Sequence, residues 1–552
     1  MPASVSGQSF WPATCSEPLL ECTLPELLRD VAAQCPEATA LVDAGEASMV
    51  WNYRDLLDEV TGRAGALVER FQPGERIGIY APNSADWIII QHAVAMAGLV
   101  LVPINPAYGA KELGQIVQSA GLSAIFYSDN YRGQSLREHI DAAVKEYPLL
   151  RECWSMDVWR EGLSKPQTIP DFPPIDPGDT MLIQFTSGTT GAPKGACLHH
   201  RGTINMARFV GQRADFPEGG SWINAMPLYH VGGAVVTALA TLNGRGKYVV
   251  APGFDPGHLL SLIESEKGNC TLVVPTMIHA LLAHPDFEQA DLSSLTTVLT
   301  GAAPVPETLG REVRDRFKSN LSILFGQTEL NGVISQTTVD DDLVDQCGTL
   351  GRPLPHVEVR IVDPDTLEDT ALGEPGEIWA RGYQVMNGYH NMAEATAQTI
   401  TPDGWLRMGD IATMDDRGFL RIVGRLKDLI IRGGMNIYPR EIEDVLEEHP
   451  AVAQVSVVGI PDDHWGEIVA AVIMLRDPAG PPDPGELHRH CRDRLAAHKA
   501  PERWYFVQEF PLTPSGKIQK FELIDRIASG LLAAEPWERG KANATERAEA
   551  TD

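Results

Sequence analysis

"TSGTTGAPKG", residues 186–195, carries two Ser/Thr pairs, three glycines, one proline and one lysine in ten positions, directly after an apolar run. Such a loop can offer backbone N–H groups and hydroxyls to phosphate oxygens, because glycine permits close approach and unusual φ values. Lys194 adds a point charge. The order is not that of a Walker A loop: the lysine precedes Gly195, and no Ser or Thr follows it to hold magnesium. Taken alone, the stretch reads equally as a flexible surface turn.

Outward from this loop, short apolar runs alternate with helical patterns. "RIGIY" (76–80) leads to a helix through the nineties and then to "GLVLVPI" (98–104). The rhythm returns in "KYVVAPG" (247–253), "CTLVVPTMIHALLAHP" (270–285) and "LTTVLTGAAP" (295–304). Strands alternating with helices of this length predict an α/β architecture with largely parallel sheets. Near the start, Thr23 and Glu26 have capping-box spacing ahead of a helix whose apolar face is Leu24, Leu27, Leu28 and Val31. After about residue 350, turn signals crowd together in "LGEPGEIWARG", "TPDGWLRMGD" and "DDRGFLRIVGR", which predicts short antiparallel strands. From "EIEDVLEEHP" (441–450) onward the pattern is helix, strand, strand, helix, the mark of a small separate unit. These shifts divide the chain into residues 1–424, a junction at 425–428, a smaller domain at 429–532 and a polar, disordered tail at 533–552.

Composition narrows the function classes. The chain has 552 residues, 43% hydrophobic and 22% charged, as in soluble globular proteins, and is too long for one ordinary core. Its net charge of −29 argues against a nucleic-acid or anionic-membrane surface, so any polyanion must be met by a local nest of donors. Eight scattered cysteines without a CxxC pair read as reduced thiols. No signal peptide is legible, and the most apolar stretch, residues 87–106, reads as a buried helix followed by a strand rather than a membrane span. A cytoplasmic location is expected. There is no GxGxxG after the first strand, no GxSxG and no HExxH, which removes support for dinucleotide enzymes, α/β-hydrolases and zincins.

Eight motifs then fall in one order: "FTSGTTGAPKGA" (185–196), "PLYHVGG" (227–233), "LTGAAPVP" (299–306), "FGQTE" (325–329), "GEIWARGYQVMNGYH" (376–390), "GWLRMGD" (404–410), "GRLKDLIIRGGMNIYPREIE" (424–443) and "PLTPSGKIQK" (511–520). In this order the chain resembles the acyl-adenylate-forming superfamily of acyl-CoA synthetases, firefly-type luciferases and peptide-synthetase adenylation domains. It is most similar to the medium- and long-chain acyl-CoA synthetases. The resemblance implies a large N-terminal domain of two αβ sheets plus a distorted β-barrel, with a small mobile α+β C-terminal domain. It implies a ligase that adenylates a carboxylic acid with ATP and Mg²⁺ and passes the acyl group to coenzyme A. A homodimer is the family-level expectation.

Residue roles follow from the same resemblance. Thr186, Ser187, Gly188, Thr189, Thr190 and Lys194 cradle the β- and γ-phosphates. Glu329 holds Mg²⁺, Thr328 meets the α-phosphate, and Phe325, Gly326 and Gln327 complete that nucleotide-binding stretch. Gly301, Ala302 and Ala303 line the adenine and acyl pocket. Asp410 takes the ribose hydroxyls with Arg425 nearby, though an ion pair between the two is an equally open reading. Lys517 bridges carboxylate and α-phosphate, Lys427 is the hinge, and Gly433 and Gly434 present backbone to pantetheine. His230 gates the acyl entrance. Gly326, where acetate-activating relatives carry Trp, implies an open pocket for a longer or bulkier apolar acid. Met408 replaces the family's usual Thr before Gly-Asp. Two alternatives stay open: a partial-cycle relative that loads a carrier protein or thioesterifies an adenylate made elsewhere, and a nucleotide-binding scaffold with a degenerate site.

Overall fold

The computed structural model describes residues 7–14, 17–45, 48–186, 193–477, 480, 482–512 and 518–535. Ser187, Gly188, Thr189, Thr190 and Lys517 lie outside the described residues, as does most of the polar tail.

Two large sheets make the body of the N-terminal part. One has six strands in the order Lys194–His199, Thr180–Thr186, Val100–Ile104, Arg76–Tyr80, Leu122–Tyr127, Glu152–Ser155. All its neighbours run parallel except the edge pair formed by the first two strands, which is antiparallel. The other has nine strands, parallel through its centre and antiparallel at both ends. The sequence reading of largely parallel sheets therefore holds, and it fails only where a hairpin or edge strand closes a sheet. The helix Ala85–Met96 is buried on nearly every side, which explains its all-round apolar sequence. Gln91 and His92 lie inside it as buried polar groups, and Gln91 is satisfied at one end by donating Nε2 to the Ala234 carbonyl at 3.0 Å. The helix Leu24–Gln34 carries the expected capping box: the Thr23 backbone donates to Glu26 Oε2 at 2.7 Å.

The third sheet is the distorted barrel, five antiparallel strands in the order Phe10–Trp11, Val357–Val362, Gly376–Gly382, Leu406–Met414, Leu420–Arg425. Its first strand comes from the chain's start, which turn spacing alone does not reveal. The smaller C-terminal part is built on a sheet ordered Met435–Ile437, Ile430–Arg432, Gly466–Leu475, Val452–Asp462, with Arg503–Val507 added parallel to Gly466–Leu475. It has a core of its own around Ile442, Leu446, Val469 and Trp504. Helices Pro439–Glu447, Pro484–Arg492 and Lys520–Ala528 cover it. The sequence shows the first two helices and the two long strands. It hides the hairpin and the last strand, which are too short for a period to register.

Candidate active site

The opening loop hangs from a hairpin. Thr186 and Lys194 are its last paired residues, and the Thr186 hydroxyl donates to the Lys194 carbonyl at 3.3 Å. The loop therefore leaves a sheet edge and returns to it, unlike a P-loop that runs into a helix N-terminus. The returning strand continues into the helix His200–Arg213, where His199 Nδ1 accepts from the Gly202 backbone at 3.0 Å and Nε2 donates to the Val385 carbonyl at 3.0 Å. Burial holds the His199 imidazole below its usual range, and both nitrogens are committed, so this histidine is structural.

The outer edge of that strand recruits the segment 387–390. Cys197 N–H donates to the Gly388 carbonyl at 2.9 Å, Asn387 N–H to the Cys197 carbonyl at 2.9 Å, and His390 N–H to the Gly195 carbonyl at 2.8 Å. Tyr389 is thereby set beside Lys194, whose ammonium lies 5.1 Å from the ring centroid. The phenol donates to Glu329 Oε1 at 2.8 Å. Glu329 itself stands in a short 3₁₀ turn, Thr328–Leu330, and its carbonyl accepts from the Met386 backbone at 3.0 Å. Burial, then the adjacent Glu329 carboxylate, pushes the Tyr389 phenol far above its ordinary range, so it stays a donor at any working pH. Lys194, Glu329 and Tyr389 thus come from three motifs far apart in sequence and meet in one cluster. Tyr389 lies within a motif already singled out, yet nothing in its spacing marks it. Only the sheet-edge pairing gives it a role.

Asp410 and Arg425 are direct partners across two barrel strands, with Arg425 Nε 3.1 Å from Asp410 Oδ1. Of the two open readings, the ion pair is present, and it fixes the carboxylate of Asp410 in place. Beside it, Glu377 is buried, accepting from the Gly409 backbone at 3.0 Å and from Trp379 Nε1 at 2.7 Å. A cavity of about 410 Å³ joins Glu377 to the Glu329–Tyr389 pair, with Gln327, Arg407, Met408, Gly409 and Leu426 also in its wall. Met408 is buried there, a thioether where a hydroxyl is usual. A more open depression of about 540 Å³ between Glu138, Asp141, Lys145 and Glu146 is walled mainly by carboxylates and suits no nucleotide.

The remaining candidates divide. Gly301 ends a strand of the nine-stranded sheet, and Ala302 and Ala303 are exposed, with Ala302 in the left-handed region at φ 66°. A non-glycine residue held there stores strain of the kind found at binding loops. Phe325 ends the neighbouring strand. The structure gives Gly326 a different reason from an open pocket: a Cβ there meets the Gly332 carbonyl oxygen at 2.3 Å, so the close backbone approach demands glycine. His230 is exposed, and its Nδ1 accepts from the Gly232 backbone at 3.2 Å, ahead of the π-helical turn Gly232–Thr237. Lys427 occupies the 3₁₀ turn Leu426–Asp428 that links the barrel to the C-terminal part. Gly433 and Gly434 are the two central residues of a hairpin turn, at φ 57° and 79°, which is the conformation a two-residue type I′ turn requires. They are exposed, and neither lines the cavity beside Glu329.

The motif order and this geometry agree with family-level similarity. A model of the AMP-binding enzymes matches residues 28–390, and one of the AMP-binding enzyme C-terminal domain matches residues 441–517. The chain belongs to the AMP-binding enzyme family. YngI of Bacillus subtilis, which carries an acyl-CoA synthetase name, is 36% identical over 540 residues, covering 92% of this chain and 97% of that protein. The mitochondrial medium-chain acyl-CoA ligase ACSF2 of Rattus norvegicus is 34% identical over 574 residues, covering 96% and 91%. Among solved structures, ATP-bound MatB from Rhodopseudomonas palustris superposes with a TM-score of 0.82 at 28% identity, covering 92% of this chain and 99% of that one. Within the family this chain is an AMP-forming acid–CoA ligase that uses ATP and coenzyme A. No described helix is long and apolar enough to cross a membrane.

Proposed function

We propose that this ligase activates a medium-chain or bulkier apolar carboxylic acid, working as a homodimer in the cytoplasm, with its domains divided at 424 and 428 as the sequence suggests. A carboxylate is a poor acyl donor because its leaving group would be oxide. Adenylation replaces that with AMP, whose phosphate carries the departing charge. The protein must therefore neutralise phosphate charge first and hold a carbonyl against a thiol second. The observation that carries the reading is the Lys194–Tyr389–Glu329 cluster, which shares one cavity wall with the strand bearing Asp410.

In this reading the 186–190 loop and Lys194 take the β- and γ-phosphates, Asp410 takes the ribose, and the strand end at Phe325 and the Gly301–Ala303 turn take the base. Mg²⁺, when bound, neutralises phosphate charge, and Glu329 would hold it. The donor set fits: one carboxylate oxygen is occupied by Tyr389, and Mg²⁺ beside ATP is characteristically held by one or two carboxylates plus phosphates and waters. Lys517 completes adenylation when the C-terminal part closes, and turning about Lys427 brings Gly433 and Gly434 to the thiol step. The medium-chain range is supported by ACSF2. A partial-cycle enzyme is the second reading, favoured by Met408, which places a thioether next to the ribose-binding strand.

Mass spectrometry of the full chain with Mg²⁺–ATP, a panel of fatty, aryl and polycyclic acids, and CoA present or absent decides between them. Acyl-AMP without CoA and acyl-CoA with it is the expected result. Turnover only from supplied acyl-adenylate would establish the partial cycle instead.

A further inference from the structure

Arg407 stands opposite Trp379 in the barrel register, and its guanidinium lies 4.6 Å from the centroid of that indole ring. It belongs to a stack of arginines and tryptophans. Arg360 lies 5.3 Å from the Trp379 ring and 5.4 Å from Trp405, and Arg381 lies 4.5 Å from Trp405. Two of these arginines are neutralised, Arg360 by Asp369 and Arg381 by Glu358, each at 2.6 Å. Arg407 differs. Among the described residues it has no carboxylate partner, and its buried Nε donates to nothing. Glu377, which shares its cavity, already accepts from the Gly409 backbone and from Trp379 Nε1.

A buried, unneutralised guanidinium N–H is unfavourable unless an anion or acceptor arrives to meet it. Stacking on Trp379 fixes the plane of the fork, the arrangement that recognises phosphate bidentately rather than as a point charge. The cavity it faces is the one walled by Glu329 and Tyr389. In a chain of net charge −29, a cation on a cavity wall with no carboxylate partner among the described residues marks a local anion site.

We propose that Arg407 binds the terminal phosphates of ATP and holds them as they leave as pyrophosphate. The identity of the anion rests on the ligase reading above; the presence of an anion site does not. Binding makes and breaks no covalent bond: the guanidinium gains two phosphate acceptors and the Nε–H a partner.

The test is calorimetric titration of the full chain with magnesium pyrophosphate, with AMP as the control ligand, for the wild type, Arg407→Lys and Arg407→Met. The methionine keeps an unbranched stem against Trp379 and removes the fork. We expect Arg407→Met to weaken pyrophosphate binding at least about tenfold, the scale of one lost charged hydrogen bond, with AMP binding unchanged. Arg407→Lys should fall between the two, and inhibition of turnover by pyrophosphate should weaken in parallel. Pyrophosphate affinity unchanged in Arg407→Met, or weakened no more than AMP affinity, overturns the proposal. A wild type that binds pyrophosphate through Arg407 but forms no acyl-adenylate overturns the ligase reading and leaves the anion site standing.

Discussion

The Glu329 cluster and the Gly433–Gly434 hairpin serve the two halves of the proposed reaction, and they are built in opposite ways. Glu329, Tyr389 and Lys194 are locked by contacts from three distant segments: a strand edge, a 3₁₀ turn and the 387–390 bridge. The hairpin is an edge of the C-terminal sheet, tied to its own small domain by Gly433 N–H to the Trp465 carbonyl at 2.8 Å, Ile431 N–H to Glu467 Oε2 at 2.7 Å and Arg432 to the His498 carbonyl at 2.7 Å, and its tip faces solvent. Around it Ile431, Met435 and Trp465 are exposed. A phosphate-neutralising site benefits from fixed dipoles and charges, since reorganisation at the moment of reaction costs rate. A surface that must arrive after the first step cannot be locked in place beforehand. On the proposed reading, the contrast means that phosphate neutralisation is preorganised in the large domain, while Lys517 and the hairpin reach the reacting groups only as the small one moves.

The comparison can be broken experimentally. The largest effect is expected from Lys517→Ala, which should reduce acyl-adenylate formation by about 10²-fold or more while sparing thioester formation from supplied acyl-adenylate. Equal loss in both half-reactions, measured by single-turnover assays, would erase the division of labour. Next comes Tyr389→Phe, which removes the phenol from Glu329. A weakened KM for Mg²⁺–ATP by about tenfold is expected, with a raised Mg²⁺ requirement and an unchanged thioester step. An unaltered Mg²⁺ titration would leave Tyr389 as packing alone. Smaller again is Gly434→Val, because a β-branched residue at φ 79° strains the turn by about 1–3 kcal/mol. The second half-reaction should fall several-fold and the first should not, as read by acyl-AMP accumulation.

The smallest effect concerns the rigidity of the large domain. Burial holds His92 and His200 at about 4, below their unfolded value of 6.5, and His200 Nδ1 accepts from the Leu24 backbone. The unfolded chain therefore takes up more protons between these values, so stability is fully present above pH 6.5 and is lost as pH falls toward 4. Thermal unfolding at pH 5 should begin several degrees below that at pH 7, and His200→Gln should flatten the slope. A melting temperature independent of pH across this window would mean the two imidazoles are not buried as neutral bases.

Much of this protein is decided by local sequence. Alternating apolar runs and helical periods suffice for the parallel sheets, and the Thr23–Glu26 spacing suffices for its helix, because both signals lie within one element. The motif residues Lys194, Glu329, Asp410 and Arg425 are legible as candidates only through the ordered motifs that carry the family resemblance. What the sequence leaves open is which of them meet. Tyr389 and Arg407 carry no spacing signal, since their roles come from a strand edge and a cross-strand indole brought together by the fold. Gly326 likewise looks like a pocket-size signal until the Gly332 carbonyl is seen 2.3 Å from its missing Cβ. Residue type fixes what chemistry a side chain is capable of. Only tertiary contact, which joins positions hundreds of residues apart, decides which neighbours it has to perform it with.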